Sequence, residues 1–118
     1  MAGSVTMAGL FGRTNWDDIE WQPFRPGVHA HWLYRTEDDG PAAALLRYEP
    51  GASVPLHEHA GWEHILVLTG AQSDGKVRHG EGSLMISAPE TRHAIMSPEG
   101  CIVLAIWQRP VRIVDSET

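Results

Sequence analysis

The run Gly51-Ala-Ser-Val-Pro-Leu-His57-Glu-His59-Ala-Gly-Trp-Glu63-His-Ile-Leu-Val-Leu-Thr-Gly70 holds the side chains best placed to do chemistry. His57 and His59 sit at i and i+2. On a strand such residues share one face, roughly 6.5–7 Å apart along the chain. Two imidazoles at that spacing converge on one metal ion. Glu63 follows four residues later, past a Gly61 that lets the backbone bend, and offers a hard oxygen ligand. His93 lies on a later predicted strand, just beyond a turn marked by Pro89. Three imidazoles and one carboxylate leave two positions free on an octahedral ion. That donor set suits Fe2+, Mn2+, Ni2+ or Co2+ and also admits Zn2+. Open positions give substrate, water or dioxygen access to the metal. One divalent metal ion is therefore the expected cofactor, with its identity open.

The elements that must position these residues read as short strands punctuated by Gly/Pro turns. Strands are expected at 28–34, 43–48, 54–59, 63–69, 77–79, 83–87, 92–96, 101–107 and 111–114. The one helical signal is a turn near Asn15-Trp16-Asp17-Asp18, where Asn or Asp would cap. Many short strands at this spacing predict an all-β sandwich or barrel. Alternation puts Ile65, Val67 and Thr69 on the face of Glu63, and Ile95 on that of His93. For 101–107 both alternating sets are apolar, so periodicity leaves open which faces inward. If Cys101, Val103, Ala105 and Trp107 do, then Cys101 and Trp107 approach the metal pocket. Trp62 is a candidate for the pocket rim or for interface packing. Arg47 is a candidate partner for a substrate carboxylate or for a surface ion pair.

The 118 residues fit a single domain, and seven of them are histidines. His29 and His31 form a second His-x-His without a carboxylate at the right offset, and read as a strand face. His64 points away from Glu63, and His79 sits beside a Gly turn. The net charge is −6 with no basic run, which argues against nucleic acid or an anionic membrane as partner. No apolar stretch nears the ~20 residues of a membrane span. A lone Cys101 excludes an internal disulfide and suits a reducing, cytoplasmic setting. Residues 1–20 read as a partly flexible N-terminal arm, 21–114 as the barrel domain and 115–118 as a tail.

Gly51, His57, His59, Glu63 and Gly70 match every specified position of the cupin motif G-x5-H-x-H-x3-E-x6-G. The second motif, G-x5-P-x-G-x2-H-x3-N, aligns at Gly82 and His93. Ala88 stands at its proline, Glu90 at its second glycine and Ser97 at its asparagine. The chain thus resembles the small single-domain cupins, and is similar to the C-terminal cupin domain of zinc-binding anti-sigma factors. Trp21-x-Pro, Pro26-Gly27-Val28, Leu46-Arg47-Tyr48-Glu49-Pro50-Gly51 and Glu99-Gly100-Cys101 are among the residues that carry this closer likeness. The resemblance implies a cupin-type β-barrel, a metal held by His57, His59, Glu63 and His93, and a homodimer. Two functions are expected from such a site. One is a dioxygenase-like enzyme on a small-molecule substrate, and the other is a metal- or ligand-sensing module without turnover.

Overall fold

The computed structural model describes residues 3–114; residues 1 and 2 of the expected arm and the expected tail 115–118 lie outside the described residues. Ten strands form, and no helix occurs among the described residues. They are β1 (Gln22–Arg25), β2 (Val28–Arg35), β3 (Ala42–Tyr48), β4 (Ala52–Glu58) and β5 (Glu63–Ser73). After them come β6 (Arg78–Gly80), β7 (Leu84–Ser87), β8 (Arg92–Ser97), β9 (Cys101–Trp107) and β10 (Arg112–Ile113). All pairings are antiparallel, in the order β1-β2-β3-β9-β5-β8-β4-β10, with β6 and β7 also on β5. The sheet curls into a half-barrel of the cupin type.

β1 was not expected, because Gln22-Pro23-Phe24-Arg25 carries a proline and no alternation. It forms as an edge strand, where a missing N–H is tolerated. The Asn15 region is a turn and not a helix: Asn15 Oδ1 accepts a 3.0 Å bond from the Asp17 N–H. β5 runs past Gly70 to Ser73, and its two halves pair with different neighbours. Residues 63–70 pair with β9, and 71–73 with β6.

A bulge between Val67 and Thr69 turns that corner. It also corrects the expected inward Thr69. The extra residue shifts the alternation, so Thr69 pairs with Ile102 of the outer face, while Ile65 and Val67 remain inside.

Two apolar clusters cover the two faces of the sheet. The inner one joins Val28, Ala30, Leu46, Val67, Ile95, Val103, Ala105 and Trp107. The outer one joins Leu45, Leu68 and Ile102 to Trp16, which is buried there with Met7, Leu10, Ile19 and Trp21 packed around it. Part of the N-terminal segment therefore lies across the sheet. Full burial of each large apolar side chain there stabilises by about 1.5–3 kcal/mol.

Candidate metal centre

β4, β5 and β8 bring the four expected ligands to one end of the half-barrel. His57 faces His93 directly across the β4–β8 pair. His59 lies just past the end of β4, and Glu63 opens β5. One potential ligand atom from each of these four residues lies within 4.8 Å of the others. The three imidazoles stand mutually edge-on, with centroids 4.6–5.1 Å apart. His57, His59 and Glu63 are buried.

Carbonyl oxygens set which nitrogen of each ring is free. His57 Nδ1 lies 2.9 Å from the Pro55 carbonyl, and His59 Nδ1 lies 3.0 Å from the Thr91 carbonyl. A carbonyl only accepts, so both Nδ1 atoms carry the proton and both Nε2 atoms keep a lone pair. Such backing is the usual means of orienting a metal-bound histidine. Thr91 belongs to a turn clipped to His59 by two backbone bonds, Glu90 N–H to the His59 carbonyl and His59 N–H to the Thr91 carbonyl. Glu90 takes φ +75° there. The turn thus keeps a left-handed residue at the motif's glycine position although the glycine is gone.

The donors fit a metal ion. His59 Nε2 and His93 Nε2 are buried with no hydrogen-bond partner. His59 Nε2 stands 2.9 Å from Glu63 Oε1, yet without hydrogen-bond alignment. Adjacent ligands of an octahedral ion at roughly 2.1 Å from the metal are about 3.0 Å apart, so the distance suits two donors aimed at one point. The other Glu63 oxygen, Oε2, accepts a 2.8 Å bond from the Trp107 indole N–H.

Electrostatics favour the ligand protonation state at His57, His93 and Glu63 and oppose it at His59. Burial, then the neighbouring imidazoles, lowers the His93 pKa to about 4. Burial also holds His57 below its ordinary value. Burial works to raise Glu63, but His59 and the Trp107 bond outweigh it and keep the carboxylate ionised. Burial works to lower His59, and the Glu63 carboxylate overrides it upward.

The cluster opens on a cavity of about 470 Å3. His57, Glu63 and His93 line it, with Phe24, Arg25, Trp32, Tyr48, Gln72, Met85 and Trp107. Of the four pocket candidates, Trp107 is the one found there. Arg47 follows inward Leu46 on β3 and so points out, where it pairs with Asp17 at 2.8 Å. Trp62 is largely exposed beside the cluster and outside the lining. Cys101 is inward but far along β9, and burial pushes its thiol up to about 11. It lies outside the group of side chains whose donor atoms converge.

His29 and His31 alternate outward from Val28 and Ala30 on β2, and His79 lies near Asp74. Sequence reasoning missed Thr91 and all of β1. Thr91 was findable as a side chain beside the second motif's histidine, whereas Phe24 and Arg25 left no signal.

The fold is matched in known proteins. The ChrR cupin-like domain family matches residues 12–112. The chain belongs to that family. Over 99 residues it is 36% identical to the anti-sigma-E factor ChrR of Cereibacter sphaeroides, covering 81% of this chain and 45% of ChrR. The cupin chain thus spans under half the length of that relative. The structure of Rhodobacter sphaeroides SigE in complex with anti-sigma ChrR aligns with TM-score 0.69 and 33% identity, over 79% of this chain and 51% of that one. An acetylacetone dioxygenase from Acinetobacter johnsonii aligns with TM-score 0.74 but 14% identity, over 98% of this chain and 85% of that one. That second likeness concerns fold alone.

Proposed function

We propose that this cupin is a metal-dependent enzyme of the dioxygenase type, acting on a small organic molecule. The observation that carries the reading is the four-donor cluster opening directly on the 470 Å3 cavity. His57, His59, Glu63 and His93 would hold one divalent ion, with Fe2+ the first choice and Mn2+, Ni2+ or Zn2+ compatible with the same donors. When bound, a redox-active ion supplies the electrons and open positions that dioxygen chemistry needs. The chain's own residues do the rest. Trp107 and Thr91 hold ligands in place, and the aromatic walls exclude water. Among the described residues, the buried imidazoles and carboxylate of the cavity all belong to the ligand set. Burial raises the Tyr48 hydroxyl, so it stays protonated and can only donate to an anion or accept as a neutral group. Side-chain acid–base catalysis thus has no buried base to use.

A second reading, a sensing module without turnover, is favoured by the relation to an anti-sigma factor that is seen in complex with SigE. Exposed apolar side chains support it. Tyr34, Ile106 and Ile86 are exposed on the outer face, in a cross-strand row completed by the buried Ala43 and the half-buried His64. A protein partner or a second copy of the chain would cover that row.

One experiment separates the readings. The protein is purified anaerobically, its metals are quantified, Fe2+ is loaded, and oxygen uptake is followed against small acids, diketones and thiols. Metal-dependent uptake that His57→Ala and His93→Ala abolish is the result expected of the enzyme. Tight stoichiometric zinc with no uptake for any compound refutes it and leaves the sensing module.

A further inference from the structure

β1 carries a bulge between Pro23 and Arg25, with Arg25 opposite Val28. Val28 is fully buried in the inner cluster. The bulge therefore turns both Phe24 and Arg25 toward the interior, and both line the cavity that holds His57, Glu63 and His93. Arg25 is half-buried, and no carboxylate of the described residues lies within 4.0 Å of its guanidinium. Its guanidinium rests on the Phe24 ring, 4.9 Å from the centroid. The other cavity cation, Arg35, is exposed to water, and its guanidinium stacks on the Trp32 ring, 3.8 Å from the centroid. Glu63, the buried acid of the cavity, is already engaged by Trp107 and faces His59.

The charge balance then points to an anion. A divalent ion held by three neutral imidazoles and one carboxylate keeps one net positive charge. Arg25 adds a second in the same low-dielectric space. Beside it, Phe24, Trp32 and Trp107 form a mutual aromatic cluster with centroids 5.5–6.2 Å apart. We propose that the cavity takes a monocarboxylate with a flat apolar body. Its carboxylate pairs with the Arg25 fork, and its body lies against Phe24, Trp32 and Trp107. A guanidinium fork matches a carboxylate in two parallel hydrogen bonds, which a neutral amide does not reproduce.

This inference rests on the reading that the cavity holds a small organic ligand, and does not depend on turnover. It is tested on the full chain loaded with redox-silent Zn2+, with benzoate and its neutral isostere benzamide as probes. Binding is followed by calorimetry and by quenching of tryptophan fluorescence, since two tryptophans line the cavity. Benzoate is expected to bind at least tenfold more tightly than benzamide. Arg25→Gln is expected to weaken benzoate about tenfold or more and to leave benzamide and the zinc stoichiometry unchanged. Arg25→Lys should restore only part of the loss. Equal binding of the two probes to the wild type overturns the proposal without recourse to any variant. So does benzoate binding that Arg25→Gln leaves intact, because the metal would then be its only anchor. Acid-selective binding without oxygen uptake would leave Arg25 standing and count against the enzyme. Uptake of a neutral substrate with no acid preference would do the reverse.

Discussion

Replacing Trp107 by Phe removes one bond and keeps most of the apolar surface. The indole N–H donates to Glu63 Oε2 at 2.8 Å, with both side chains buried. A bond to a charged acceptor contributes about 1.5–3 kcal/mol net. Its loss leaves a buried carboxylate oxygen without that donor and frees the group to rotate away from His59. If the whole loss falls on the metal-bound state, 1.4 kcal/mol per decade gives roughly 10–100-fold weaker metal binding. Mutations of residues that orient metal ligands show the same range. Because the bond exists in the metal-free chain as well, part of the loss will appear there as lowered stability. Both quantities are measurable, the first by competition for Zn2+ with a chromophoric chelator, the second by thermal melts of metal-free protein. Trp62→Phe is the control, since that ring is exposed and lies outside the cavity lining. A Trp107→Phe affinity within twofold of wild type, with the melt unchanged, would refute the reasoning.

The pH dependence of the metal-free protein has a defined sign at His93. Its folded pKa of about 4 lies below the ordinary histidine value of 6.5, so the unfolded chain binds the proton more readily between those values. The stability tied to neutral His93 is thus fully present above pH 6.5 and is lost as pH falls toward 4, by at most about 3 kcal/mol. His59, raised by Glu63, acts in the opposite sense, so the quantity to read is the difference between wild type and His93→Asn in urea melts at pH 7 and pH 4. A difference that does not change between the two pH values would contradict this. Gly70 has φ +79°, and a Cβ there would run into the Gly100 carbonyl and the backbone of Cys101. Gly70→Ala should cost about 3 kcal/mol or more, against about 1 for Gly75→Ala, which is also left-handed (φ +95°) but meets open space. Equal costs by denaturant titration would show that the close approach of β5 to the Gly100 turn is not what constrains Gly70.

Much of the site was legible because its signal is local. His57, His59 and Glu63 lie within seven residues of one another, and a strand period of two is enough to put two imidazoles on one face. Gly/Pro turns marked nine of the ten strands. The tenth, β1, gave no periodic pattern. Its strand character comes from pairing with β2, and its bulge is a product of that pairing. The same holds for the β5 bulge: nothing in Leu68-Thr69 announces an extra residue, yet it reverses which side Thr69 takes. The N-terminal segment looked loosely patterned, but Trp16 finds the outer faces of Leu45, Leu68 and Ile102, which no local rule would bring together.

By itself, then, the chain determined an all-β fold and the identity of the four donors, because turn chemistry and donor spacing are properties of neighbouring residues. The tertiary structure alone decided the surroundings of those donors. Both sets of alternating residues on β9 are apolar, so only pairing with β3 and β5 selects Cys101, Val103, Ala105 and Trp107 as the inner set. That choice delivers the Trp107 indole to a carboxylate 44 positions earlier in the chain. A bulge on an edge strand turns Arg25 into the same cavity. These contacts join residues far apart in sequence, and their energy exists only once strand register has been set.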